Sequence, residues 1–379
     1  MKHKKIHIVY IITKLELGGA QKVCLALQDG MVDSWFSSHL ISGESGILTT
    51  QVLNKKNVIL LPDFVREVSY RTFFNEVRCF IHLIQQLRLI KAQYPNVIVH
   101  THSTKAGILG RWAAWCARIK TRVHTIHGYG FHHHQSWSLW LMIYCTELIT
   151  SLITTHFICV SSEDAKVGIK LLPFFSTKHT IIRAAVDTQR FMAAQRTSLD
   201  AFNDLFVFGT IACFKPQKNL FDLLRAFAYA YQHNRHIRLE IIGDGIQRPA
   251  LEAWILHHKL SPTITLLGWQ TEVAPHMRTW NSFVLSSLWE GLPCSIVEAR
   301  LLKLPVISYD TGGIHDVIIH ERNGLLSVQK NWQGLAENMI EVSTNKQLYH
   351  SLSEYHDNLS DFEYAHMINE HKHLYEKLV

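Results

Sequence analysis

The 379-residue sequence contains no Cys-x-x-Cys pair. Its seven cysteines (Cys24, Cys79, Cys116, Cys145, Cys159, Cys213 and Cys294) are scattered and odd in number. That excludes a zinc ribbon and a disulfide framework, and it points to a reducing, cytoplasmic setting. No uninterrupted apolar run reaches the roughly 18 residues of a membrane span. The most apolar region, residues 138–160, is broken by Glu147 and several threonines. It reads as a buried helix followed by a strand. No secretory leader is expected, because the apolar run after the basic start is short and alternates as a strand does. Short repeats and low-complexity segments are lacking too. A G-x-G-x-x-G dinucleotide fingerprint is missing: IIGDGIQR (241–248) has Arg248 where the third glycine belongs. The run His132–His134 is no zinc site, since adjacent side chains diverge and no carboxylate or cysteine spacing supports one.

What is present is an ordinary globular composition, 47% apolar and 18% charged. The length favours two domains. Charge divides unevenly. Residues 1–190 hold 22 Lys+Arg against 11 Asp+Glu, whereas residues 191–379 hold 16 against 20. A basic first half fits contact with something anionic, such as a membrane surface, a lipid phosphate or a nucleic acid.

Short β-rich runs alternate with helical patterns along the whole chain. Strands are expected at 7–12, 39–42, 58–61 and 97–102, continuing through VHTIHG and HFICVS. A helix is expected over 73–93. The pattern restarts with strands at 207–212, 238–245, 263–268, 282–287 and 305–309. Two doubly wound parallel sheets follow, joined near 181–202. The helix candidate at the C-terminus has no following strand and is expected to pack back on the first half. Ligands of such sheets bind beyond the carboxyl ends of strands.

Four places there carry chemistry. In LELGGAQK, Gly18 and Gly19 allow close backbone approach at a helix start. His102, Lys105 and Arg111 follow one strand, and His127 follows the next. A histidine in that position can touch a substrate or relay a proton, although a lone one is more often structural. In FGTIACFKPQKNLFDLL, Lys215 and Lys218 precede a helix and can pair with a phosphate. The alternative for each is a solvated lysine. In LSSLWEGLPCSIVEAR, Glu290 is placed at a strand end and Glu298 one or two turns into a helix. A carboxylate accepts two hydrogen bonds and so matches a vicinal diol. Two of them flanking a helix start fit one elongated ligand: a sugar, a diphosphate and a ribose.

These segments, in this order, resemble the retaining glycosyltransferases of family 4 over nearly the whole chain. ELGGAQ, HTHSTKAGILGRWAAW, HTIHGYGFH, VSSEDA, IIRAAVD, IIGDG, LLGW and SLWEGLPCSIVEA carry the likeness. Glu290 and Glu298 match the family's E-x7-E motif. The resemblance implies an α/β GT-B fold of two Rossmann-like doubly wound domains across a deep cleft. The acceptor-side domain would span 1–187, with a helix at about 360–379 returning to it, and the donor domain 188–359. It implies a cytoplasmic, peripheral enzyme of surface-polysaccharide synthesis that moves a hexosyl or N-acetylhexosaminyl group from a nucleoside diphosphate sugar. The acceptor would be a glycan or lipid-linked molecule, with no nucleic acid, no cofactor and no metal; no D-x-D pair occurs.

By the same resemblance, His127, Lys218 and Glu290 are catalytic. Gly18, Gly19, Lys215, Gly243, Gly291, Leu292, Pro293, Cys294, Ser295 and Glu298 bind the donor. His102, Lys105 and Arg111 lie on the acceptor side. Three departures stand out: Cys213 where the family has Arg, Gln21 for Glu, and Asp316 for Glu. Lys215 is the substitute expected for the missing guanidinium. Two other functions fit a related architecture: a nucleotide-sugar epimerase, or a non-catalytic donor-binding assembly protein.

Overall fold

The structure, a computed structural model, describes residues 5–65, 73–192 and 205–379. Part of the expected joint, 193–202, lies outside the described residues. The chain forms two compact units: residues 1–185 with 364–379, and residues 186–363.

Unit 1 opens with β1 (Ile6–Ile12), α1 (Gly19–Gly30), β2 (Phe36–Gly43), β3 (Val58–Leu61) and α2 (Phe73–Gln93). It continues with β4 (Asn96–His102), α3 (Thr104–Cys116), β5 (Thr121–Ile126) and α4 (Trp137–Ile153), then β6 (His156–Cys159), α5 (Ser162–Leu171) and β7 (His179–Ile181). The seven strands are all parallel, in the order β3-β2-β1-β4-β5-β6-β7. Ile8 to Ile12 of β1 are all buried, as a central strand covered on both faces requires. In α2, Cys79, Leu83, Leu87 and Ile90 recur at helical spacing and pack with Ile41 and Val99 of the sheet.

Unit 2 begins with α6 (Thr188–Met192), β8 (Phe206–Ile211), α7 (Leu220–His233), β9 (Ile237–Ile242), α8 (Arg248–His257) and β10 (Ile264–Gly268). Next come α9 (Ala274–Thr279), β11 (Ser282–Leu285), α10 (Cys294–Leu301), β12 (Val306–Tyr309), β13 (Gly324–Ser327), α11 (Trp332–Thr344) and α12 (Lys346–Glu354). Its sheet is parallel, in the order β10-β9-β8-β11-β12-β13. Its core joins Leu220, Leu223, Leu224 and Phe227 of α7 to Phe208, Leu239 and Ile241 of the sheet and to Leu335 and Met339 of α11. The final helix, α13 (Tyr364–Leu378), belongs to unit 1. There Tyr375 Oη hydrogen-bonds Tyr10 Oη at 3.3 Å and His100 Nδ1 at 2.5 Å.

In both sheets the strand order reverses once, between β1 and β4 and between β8 and β11. Such switch points splay the loops apart and leave a crevice at the strands' carboxyl ends.

The expected apolar helix exists as α4, but it is not buried as expected. Its inward residues are Glu147, Thr150 and Ser151, while Trp137, Met142, Ile149 and Leu152 face solvent. Total hydropathy counts apolar groups but does not say which way they point. Strands β7 and β13 were not expected from the sequence.

Candidate active site

In unit 2, β8 runs into a loop containing Cys213 and Lys215, then a short 3₁₀ turn, Pro216–Lys218. Across the switch point β11 ends at Leu285, and Glu290 lies five residues beyond it rather than at the strand end. The two loops are laced together. Leu288 N–H donates to the Gln217 carbonyl at 2.8 Å. The Gln217 side-chain amide returns a bond to Trp289 O at 2.7 Å, and Ser286 Oγ donates to Lys218 O at 2.8 Å. This lacing places the Lys218 ammonium on the Glu290 carboxylate in a direct ion pair. Both side chains are mostly sheltered, 16% and 10% exposed, so solvent screens the pair only partly.

The far side of the loop is also held. Gly313 N–H donates to Gly291 O at 2.7 Å, and the Gln329 amide reaches Leu288 O and Thr311 Oγ1. Gly312 has φ +56°, and a Cβ there would sit 2.1 Å from Glu290 O. Only glycine lets the chain pass so close. Gly291 and Leu292 finish the loop, Pro293 caps α10, and Cys294 and Ser295 form its first turn. Glu298 follows within α10, 8% exposed. Gly243 closes β9 at φ +128°, where a Cβ would lie 1.9 Å from Ala212 O. Its backbone therefore lies against the start of the Cys213 loop.

In unit 1, Gly18 caps α1 and Gly19 begins it. A Cβ on Gly18 would meet Gln21 Oε1 at 2.5 Å, so Gln21 folds back over this turn. Across the switch point, Ser103 adopts φ +66°, a left-handed value that costs energy for a residue with a side chain. Its Oγ hydrogen-bonds Thr13 Oγ1 at 2.9 Å, tying the ends of β1 and β4 together. His102 Nδ1 and His127 Nε2 are 3.0 Å apart. Burial holds both well below the ordinary histidine range, His127 at about 3, with His371 of α13 adding like-charge repulsion. Both rings are therefore neutral near pH 7, and one donates to the other. His102 Nε2 is buried with no partner among the described residues.

The other two acceptor-side candidates behave differently. Lys105 pairs with Glu76 at 2.5 Å and donates to Val65 O at 2.6 Å. Arg111 must be removed from the site. It is fully buried: Nη2 bonds both oxygens of Glu147 at 2.8 and 2.9 Å, Nη1 donates to Thr154 Oγ1 and Nε to Gly107 O. Its charge is spent inside the unit, as a guanidinium buried without water requires.

The comparisons with known proteins decide the family. Over 355 residues the chain is 30% identical to the Escherichia coli UDP-Gal:alpha-D-GlcNAc-diphosphoundecaprenol alpha-1,3-galactosyltransferase, covering 91% of this chain and 90% of that one. The chain belongs to glycosyltransferase family 4. The family profile "Glycosyltransferase Family 4" matches residues 17–190, and "Glycosyl transferases group 1" matches 192–358. The capsular polysaccharide biosynthesis glycosyltransferase CapM of Staphylococcus aureus is 21% identical over 277 residues, 70% of this chain and 72% of CapM. Among solved structures, Anabaena HepE in complex with UDP and glucose superposes with a TM-score of 0.80 at 18% identity, covering 99% of this chain and all of that one. Sucrose-phosphate synthase from Thermosynechococcus elongatus gives 0.81 at 16%, covering 99% of each chain. The fold is therefore the two-domain GT-B architecture.

Sequence reasoning missed the residues that hold this glycosyltransferase's loops: Gln217, Ser286, Thr311 and Gln329. Polar side chains that bond to backbone carry no spacing signature. It also missed His371, which lies 244 positions beyond His127 in the sequence.

Proposed function

We propose that this glycosyltransferase moves a hexosyl or N-acetylhexosaminyl group, with retention of configuration, from a nucleoside diphosphate sugar to a hydroxyl of a lipid-linked glycan. The product would enter a cell-surface polysaccharide. The observation that carries the donor part is the sheltered Lys218–Glu290 pair at the unit 2 switch point, with Glu298 inside the adjoining helix. Lys218 offers three donors to a diphosphate, and each glutamate accepts from two hydroxyls.

In this reading Glu290 holds the sugar hydroxyls and Glu298 the ribose hydroxyls. The amides of Gly291–Ser295 and Gly243, with Lys215, line the phosphate and nucleoside path. The Gly18–Gly19 turn lets backbone approach a phosphate or the acceptor closely. The bond from the anomeric carbon to the phosphate oxygen breaks, and a new one forms to the acceptor oxygen. The acceptor's proton passes to the departing phosphate. Lys218 and backbone amides stabilise the charge that develops there. His127, kept neutral and oriented by His102, contacts the reacting sugar, and Lys105 serves the acceptor. The reading uses no metal and no cofactor. The E. coli relative's name makes UDP-galactose the first donor to try and a diphosphate lipid the first acceptor class. In this reading the enzyme works at the cytoplasmic face of a membrane; no described helix is long and apolar enough to cross one.

Nucleotide sugars screened by thermal shift test the reading, since a donor that binds the folded state raises the melting temperature. One nucleoside diphosphate sugar is expected to stabilise the wild type and to lose that effect in Glu298→Ala. Transfer to a lipid-diphosphate acceptor then confirms the reaction. Epimerisation of the donor alone, or binding with no transfer to any acceptor, overturns it.

A further inference from the structure

Helix α4 is built inside out. The polar residues it buries are each bonded within unit 1. Glu147 takes the Arg111 guanidinium, Thr150 Oγ1 accepts from Trp112 Nε1 at 3.0 Å, and Ser151 Oγ donates to Leu148 O at 2.6 Å. The opposite face is apolar and open. Trp137 is 75% exposed, Met142 60%, Ile149 54% and Leu152 60%, with Cys145 exposed between them. Positions 142, 145, 149 and 152 recur at three- and four-residue steps and so form one stripe. From Trp137 to Leu152 it extends about 22 Å at the helical rise. The stripe continues onto α3, where the half-exposed Trp115 stacks edge-on against Trp112.

Beside Trp115 lies a group of cations. Arg118 and Lys120 are exposed in the loop after α3. From α2, Lys91 Nζ donates to Arg118 O at 2.6 Å and Arg88 reaches Cys116 O at 3.5 Å. None of the four forms an ion pair among the described residues. The Lys120 carbonyl accepts from Thr155 Oγ1, two residues beyond the end of α4, so the cations adjoin the apolar stripe.

We infer that this face of unit 1 docks on an anionic lipid bilayer, with α4 lying in the plane of the headgroups. A bilayer offers both parts of the match: an apolar layer for the stripe and anionic headgroups above it for the cations. Trp115 and Trp137 stand at the edges of the stripe, where amphipathic rings prefer the boundary between the two. Seventeen residues with a buried polar face lie on a membrane rather than cross it. The purpose of this docking rests on the lipid-linked acceptor reading, whereas its location rests on α3 and α4.

Co-sedimentation with vesicles, without any substrate, tests it. The wild-type protein is expected to bind phosphatidylglycerol-rich vesicles, and binding to weaken in salt and on phosphatidylcholine vesicles. Met142→Glu with Ile149→Glu, placed on the solvent face, should lower the partition coefficient at least about tenfold on either lipid. Arg118→Glu with Lys120→Glu should lower it about tenfold on anionic vesicles alone. Unchanged nucleotide-dependent thermal shifts in both variants keep misfolding apart from lost docking. Failure of the wild type to bind vesicles overturns the inference, as does equal binding by the variants. So does a wild-type dimer that Ile149→Glu dissociates, which would make the face an interface between copies. Failure of the sugar-transfer reading would instead leave vesicle binding intact and abolish only transfer.

Discussion

At the switch point of unit 2 the loops beyond β8 and β11 carry opposite charges, Lys218 against Glu290; in unit 1 the adjacent ends of β4 and β5 carry two neutral imidazoles, His102 against His127. The sheets around them follow the same winding, three strands to one side and the rest to the other. Topology therefore sets where chemistry can sit, and side chains decide which chemistry it is. The helices differ in the same way. α7 of unit 2 buries Leu220, Leu223, Leu224 and Phe227 in the ordinary manner, whereas α4 of unit 1 buries Glu147 and Thr150. Unit 2 spends some of its polar contacts on lacing two loops, and unit 1 spends part of its own on supporting a helix whose apolar side points out.

The comparison can be broken from either side. The largest effect is expected from Glu147→Leu, which strands the Arg111 charge inside unit 1. It should destabilise unit 1 by about 3–5 kcal/mol. Hydrogen exchange should show lost protection in β4, α3 and α4 while the peptides of β8 and α7 keep theirs. Equal loss in both units would contradict the assignment of this pair to one unit.

Glu290→Ala comes next. It should lower turnover by about 10²–10³-fold, with a smaller change in donor affinity. Its melting temperature should stay near that of the wild type, because the loop is held by Gln217, Gln329 and Gly313 rather than by the carboxylate. Kinetics like the wild type's would remove Glu290 from the reaction.

The smallest effect concerns pH. His102 and His371 are buried, and both are held below the ordinary histidine value near 6.5, His371 at about 4. Between those values the unfolded chain binds more protons than the folded one. Stability is therefore present above about pH 6.5 and is lost as pH falls toward 4, at about 1.4 kcal/mol per pH unit for each buried histidine. Protection of unit 1 should drop more steeply than that of unit 2 between pH 7 and 5. His371→Leu should flatten the difference, and parallel slopes in the two units would show that the histidines do not cause it.

Most of the strand plan was legible because parallel strands are near-continuous apolar runs, as Ile8–Ile12 and Phe283–Leu285 show. Glu290, expected at the strand end, lies in the loop, whereas the helical position of Glu298 was legible because a Gly/Pro turn precedes its helix. Three things were not. The direction of the α4 stripe depends on Arg111, which is distant in sequence and looked like a ligand-binding cation. The loop lacing uses Gln217 and Gln329, whose partners are backbone atoms. The depressed histidines owe their state first to burial, and the added repulsion comes from His371, more than 240 residues beyond His127 in the chain.

That helix, α13, has a consequence for how the protein is made. Unit 2 is contiguous in the chain, so its last residue, Glu363, leaves the ribosome before unit 1 is complete. Tyr375, which bonds Tyr10 and His100, is among the residues that come after. The first 185 residues must therefore wait, with His100 unpaired toward that side, while an entire second sheet is synthesised and free to fold. A chain released early at residue 363 would carry a finished unit 2 and an unfinished unit 1.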